Sequence, residues 1–225
     1  MTYLKQVRIL VWKDLVSEMR TKETISSMLI FSLLIPVIFG FAFDPDSNTV
    51  QKVFPGVLWV VVAFSGILGL NRAFQSEKTN DCIAGLMLVT VDRGVIYLGK
   101  LISNLIFMLI VELITIPVLF VLFDYKMQGS PLKLLLVVLL GTWGFIAVGT
   151  FLASLAVNTR NSEILLPVIL FPLLVPLLIA AVQATGAIIS GDSFSTWSNW
   201  VSLLVAFDLI FTMVAWLLFD YVLEV

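Results

Sequence analysis

Two carboxylates stand alone within the apolar stretches of this chain, Glu112 and Asp208. An ionisable group deep in a membrane span is expensive; it faces the bundle interior or water and is a functional candidate by default. No lysine or arginine falls at a similar depth. Each acid is therefore expected either to hydrogen-bond a neighbouring helix or to belong to a polar pathway or moving surface. A second concentration of chemistry lies in residues 71–100, where four basic and three acidic residues separate two long apolar runs. Ile83, Leu86 and Met87 fall there at i, i+3, i+4, so a short helix would present them on one face. Glu77, Lys78, Asp81, Asp92 and Arg93 flank them. An apolar knob with a charged rim is how a helix docks into a partner's groove. The same residues also suit a helix lying on a bilayer surface, and spacing alone leaves both open.

Several chemistries are excluded. No GxxxxGK[ST] phosphate loop occurs, so ATP is not bound by that route. The sequence has no histidine, which removes histidine metal sites, histidine haem ligation and histidine acid–base catalysis. With a single cysteine, Cys82, no disulfide can close within the chain. No paired carboxylates or Ser-His-Asp set stands out, so no catalytic residues, metal ligands or directly bound cofactor are expected. A net charge of −2 gives no reason to expect a nucleic-acid partner.

The elements that carry these residues follow from composition. The chain has 225 residues, 60% hydrophobic and 12% charged, with mean hydropathy +1.08; soluble domains carry about 25% charged residues. An all-α integral membrane protein is expected, a single permease-like domain over 1–225. Six spans are read at about 25–43, 53–71, 96–123, 132–157, 164–189 and 199–220. They must be helical, because lipid cannot satisfy open backbone groups. With the N-terminus inside, inner segments hold ten Lys and Arg and outer segments three. Both termini and the 72–95 insert are therefore expected in the cytoplasm. The first 23 residues do not resemble a cleavable signal. Residues 3–22 read instead as an amphipathic helix on the membrane surface. Leu4, Val11, Leu15 and Met19 share its apolar face, with Trp12 and Val16 beside them; Arg8 and Glu18 intrude.

Three further patterns stand out. Pro167, Pro172 and Pro176 interrupt the fifth span, each removing a backbone donor; a packed kink or a flexible, pathway-lining helix would result. Gly149 and Ala153 form a small-xxx-small pair, expected to serve internal packing. Trp197, Trp200 and Trp59 are expected as interfacial anchors.

From Val53 to Leu101 the sequence resembles the CcmB family, the haem exporter B subunits of cytochrome c maturation. The residues that carry this are "FPGVLWVVVAFSGILGLNRAF", then Glu77, then "GLMLVTVDRGVIYLGK", with a second block, "LLPVILFPLLVPLLIAA", at 165–181. The resemblance implies a non-catalytic permease of an ABC transporter in a bacterial inner membrane. It implies two copies of the chain with two cytoplasmic ATPase subunits. ATP would be bound by those partners, a further membrane subunit would present haem, and a periplasmic chaperone would receive it. It also makes the insert an ATPase-coupling element, with Glu77, Asp81, Ile83, Leu86, Met87, Asp92 and Arg93 at the contact. The alternatives are a permease of another exporter (lipid, drug or polysaccharide) and an ATP-independent channel or scaffold.

Overall fold

The computed structural model describes residues 3–42, 48–79, 93–156 and 162–222. Those residues form seven helices: α1 (Tyr3–Thr21), α2 (Glu23–Ala42), α3 (Asn48–Thr79), α4 (Arg93–Leu122), α5 (Pro131–Ala156), α6 (Ser162–Ile189) and α7 (Phe194–Val222). Six of them, α2 to α7, contain stretches long and apolar enough to cross a membrane. The expected spans are matched closely; the largest difference is the start of the sixth, at Phe194 instead of 199. The helix that carries the second span runs on beyond it, to Thr79, so the first part of the polar insert continues α3, and Glu77 lies in its last turn.

The bundle is built around α3 and α5, the most buried of the six; α2 and α7 are the most peripheral. Helix α5 touches α3, α4, α6 and α7, and its glycines allow this. A side chain at Gly141 would collide with the Trp59 ring, and one at Gly149 with Leu70, both on α3. A side chain at Gly144 would strike Leu177 of α6 and Asp208 of α7. The small residues of α5 thus let backbones approach inside one chain; Gly149 and Ala153 are both buried there.

Trp59 departs from expectation. It is not an interfacial anchor: it is 1% exposed, and its Nε1 donates to Thr185 Oγ1 on α6 at 2.9 Å. An indole enters a core when its N–H finds an acceptor. Trp197 is also buried, at one end of the bundle, where Lys133 Nζ lies 5.3 Å from its ring centroid.

Helix α6 continues through its three prolines. Pro172 and Pro176 share an exposed face, and Pro167 is half-buried. The breaks in the hydrogen-bond ladder therefore fall mainly on the outside of the bundle.

Candidate functional site: an intramembrane polar seam and a bracing surface helix

Helix α4 carries a polar stripe. Tyr97, Asn104 and Glu112 lie along the side that meets α5 and are buried. The Tyr97 hydroxyl donates to the Ala147 carbonyl at 3.1 Å. Asn104 Nδ2 donates to Thr150 Oγ1 at 3.3 Å, and Thr142 Oγ1 donates to Glu112 Oε1 at 2.6 Å. One turn beyond Glu112, Thr115 Oγ1 donates to Ser32 Oγ of α2 at 2.8 Å, and Ser32 donates on to the Leu29 carbonyl at 3.0 Å. The seam is thus a series of hydrogen bonds joining α2, α4 and α5 through apolar surroundings, where polar contacts act as interhelical glue.

Glu112 is the exception within it. Its Oε2 is buried without a partner. Beside it is a cavity of about 10 Å³, lined by Ser65, Met108 and Thr115 among apolar side chains. That volume matches a single water.

Asp208 sits elsewhere. It is buried on α7, and neither of its carboxyl oxygens has a partner. Oδ1 occupies the space that a side chain at Gly144 would need. Thr142 and Gly144 are two residues apart on α5, so they point to nearly opposite sides of that helix. The structure therefore does not bring Glu112 and Asp208 together; they flank α5 from two sides. Among the described residues no group of three or more acids or cysteines comes close enough to hold a metal ion.

A second polar arrangement ties α1 to the bundle. Asp14 Oδ2 lies 2.9 Å from Lys100 Nζ of α4, while Asp14 Oδ1 lies 3.3 Å from Lys13. Leu10 packs where a side chain at Gly99 would stand. Glu18, the acid that spoiled the amphipathic pattern, is buried, and its Oε1 accepts from the Ile25 backbone N–H at 2.8 Å. It satisfies a free donor in the first turn of α2, where a carboxylate also suits the helix dipole. Between the two helices, Lys22 adopts φ 55, the left-handed turn that commonly ends a helix. At its other end α1 places Tyr3 Oη 3.3 Å from Trp216 Nε1 of α7. Helix α1 therefore crosses the end of the bundle where α2 and α4 begin and α7 nears its end.

Of the insert residues, Asp81, Ile83, Leu86, Met87 and Asp92 lie outside the described residues, as does Cys82. Glu77 lies on the described backbone of α3, and Arg93 opens α4, half-buried. Sequence reasoning found Glu112 and Asp208. It missed Thr142, Gly144, Ser32 and Thr115 as their neighbours, and Asp14 with Lys100. Isolated Thr, Ser and Gly in apolar helices are too common to signal a partner, and the ion pair joins distant parts of the chain.

Fold and seam together define a multi-pass helical membrane protein with a polar seam through an apolar core and a helix braced across one end. A family model described as CcmB protein matches residues 5–224. The chain belongs to the CcmB family. Heme exporter protein B of Pseudomonas aeruginosa is 26% identical over 193 residues, 86% of each chain. Its counterpart in Haemophilus influenzae is 26% identical over 172 residues, 76% of this chain and 77% of that one. That of Bradyrhizobium diazoefficiens is 28% identical over 166 residues, 72% and 73%.

Proposed function

We propose that this chain is the membrane-embedded permease subunit of an ATP-driven complex that handles haem for c-type cytochrome biogenesis. What supports this most is the family match over residues 5–224, together with the six helices of membrane-spanning length among the described residues. The relatives bear the name Heme exporter protein B. On this reading the protein sits in a bacterial cytoplasmic membrane with both termini in the cytoplasm, and α1 lies along the membrane surface. A second copy of the chain completes the permease. A separate cytoplasmic ABC ATPase docks on the insert through Ile83, Leu86 and Met87, with Glu77, Asp81, Asp92 and Arg93 around them. A further membrane subunit presents haem, and a periplasmic chaperone takes it. ATP hydrolysis in the partner shifts the permease so that the loaded chaperone leaves. The chain itself is non-catalytic and holds no cofactor; haem is the cargo of the complex.

Because α4 follows the insert directly, a push there reaches the Glu112 seam through one continuous helix. Deleting the gene should remove c-type cytochromes and spare b-type ones. The tagged chain, purified from native membranes, should bring an ATPase with it. Unaffected c-type cytochromes would assign the permease to another cargo. Recovery without an ATPase would indicate a channel, and recovery with cytochrome-assembly proteins alone a scaffold.

A further inference from the structure

Helix α1 has two acids, Asp14 and Glu18, and both are engaged toward the bundle, with Lys100 and with the Ile25 N–H. Its outward side keeps only cations. Lys5, Arg8 and Arg20 are exposed there. Between them stand exposed apolar side chains: Leu4 at 77%, Trp12 at 69% and Met19 at 74% of their full accessibility, with Ile9 half-exposed. At about 100° per residue these seven side chains fall within one half of the helix circumference.

We propose that this outward face of α1 docks on the anionic phospholipid headgroups of the membrane, its cations pairing with them and its apolar side chains entering the headgroup boundary. This rests on the reading that α1 lies along the membrane surface, and it adds the chemistry of what the helix meets there. Three observations favour lipid over a protein partner. Cations and apolar residues are interleaved, as on helices that lie in an interface, whereas a protein-docking knob gathers its apolar residues at the centre. No acid remains on the face to meet a mixed-charge partner. The contacts of α1 with Ile25, Lys100 and Trp216 place it at the level of the bundle end, where headgroups lie.

The test uses the full chain in lipid bilayer discs. Cys82, the one cysteine, is replaced by serine, and Trp12→Cys carries a fluorescent bimane label. Quenching by brominated phosphatidylglycerol is compared with quenching by brominated phosphatidylcholine. The anionic lipid should be preferred at the label by at least about fivefold, each cation near an anionic surface adding a similar factor. The preference should approach parity in the triple variant Lys5→Gln, Arg8→Gln, Arg20→Gln. In the labelled chain with its cations intact, it should fall as salt rises. Equal quenching by the two lipids would overturn the inference and leave the surface placement of α1 standing. A preference that survives both the triple variant and high salt would overturn the role of these cations. Quenching by neither lipid would overturn the surface placement itself and give the face to a protein partner.

Discussion

The hydroxyl of Thr142 on α5 donates to Oε1 of Glu112 on α4 at 2.6 Å, and the second carboxyl oxygen of Glu112 meets no partner. Half of the carboxyl is thus tied to a neighbouring helix, and half is buried without a partner, in a residue that also lines a cavity of about 10 Å³. Glu112→Gln keeps an acceptor for Thr142 and keeps the shape of the side chain, but cannot ionise. The variant should assemble with its ATPase and fail in cytochrome maturation; near-normal maturation would refute a functional role. Asp208→Asn provides the comparison on the other side of α5. Thr142→Val should cost about 1–2 kcal/mol of stability, with most of it restored by Thr142→Ser.

Gly144 should tolerate no side chain while Asp208 is present. Gly144→Ala drives a methyl group into Asp208 Oδ1 and Leu177. Overpacking of this kind costs about 1–3 kcal/mol. Combined with Asp208→Ala, the same substitution should cost markedly less than the sum of the two single changes, as read from unfolding midpoints in detergent. Strict additivity would show that the two residues do not share the space.

The ion pair between Asp14 and Lys100 should hold α1 to the bundle without holding the bundle together. Asp14→Ala should raise amide exchange across residues 3–21 while exchange in α3 and α5 stays slow. Reversing the pair, with Asp14→Lys and Lys100→Asp, should recover part of the protection. Equal loosening of all seven helices would show that α1 is part of the core.

The proposed orientation rests on the ten-to-three bias in lysine and arginine. Cys82 should react with a membrane-impermeant thiol reagent only when the cytoplasmic side is open. Labelling from outside intact cells would invert the topology.

Leu86→Arg should abolish recovery of the ATPase and leave the six spans folded. An unpaired arginine buried at a contact costs several kcal/mol, enough to break an ordinary interface. Normal co-purification would transfer the insert from the ATPase to the membrane surface.

Most of the fold was legible because lipid imposes one rule on every span: twenty or so apolar residues, helical throughout. That rule located α2 to α7 and singled out Glu112 and Asp208 as exceptions. It says nothing about which helix faces which, and there sequence reading ran out. Trp59 has the residue type of an interfacial anchor, yet it enters the core because Gly141 leaves room and Thr185 supplies an acceptor. Glu18 looked like a flaw in an amphipathic helix, and only the position of α2 explains it. The charged insert showed its polarity in sequence but not where α3 would end, since a helix can run past the last apolar residue into polar ones.

The brace between α1 and α4 also sets an order of events during synthesis. Asp14 leaves the ribosome long before Lys100, its partner, and two membrane-crossing helices are made in between. The first helix must therefore wait, unpaired, while the second, third and fourth enter the bilayer. On the proposed placement of α1 along the bilayer, its outward mixture of cations and apolar side chains would give it a resting place at the membrane surface meanwhile. Gly99 then closes the wait: with no side chain of its own, it lets Leu10 settle against α4 as soon as that helix arrives.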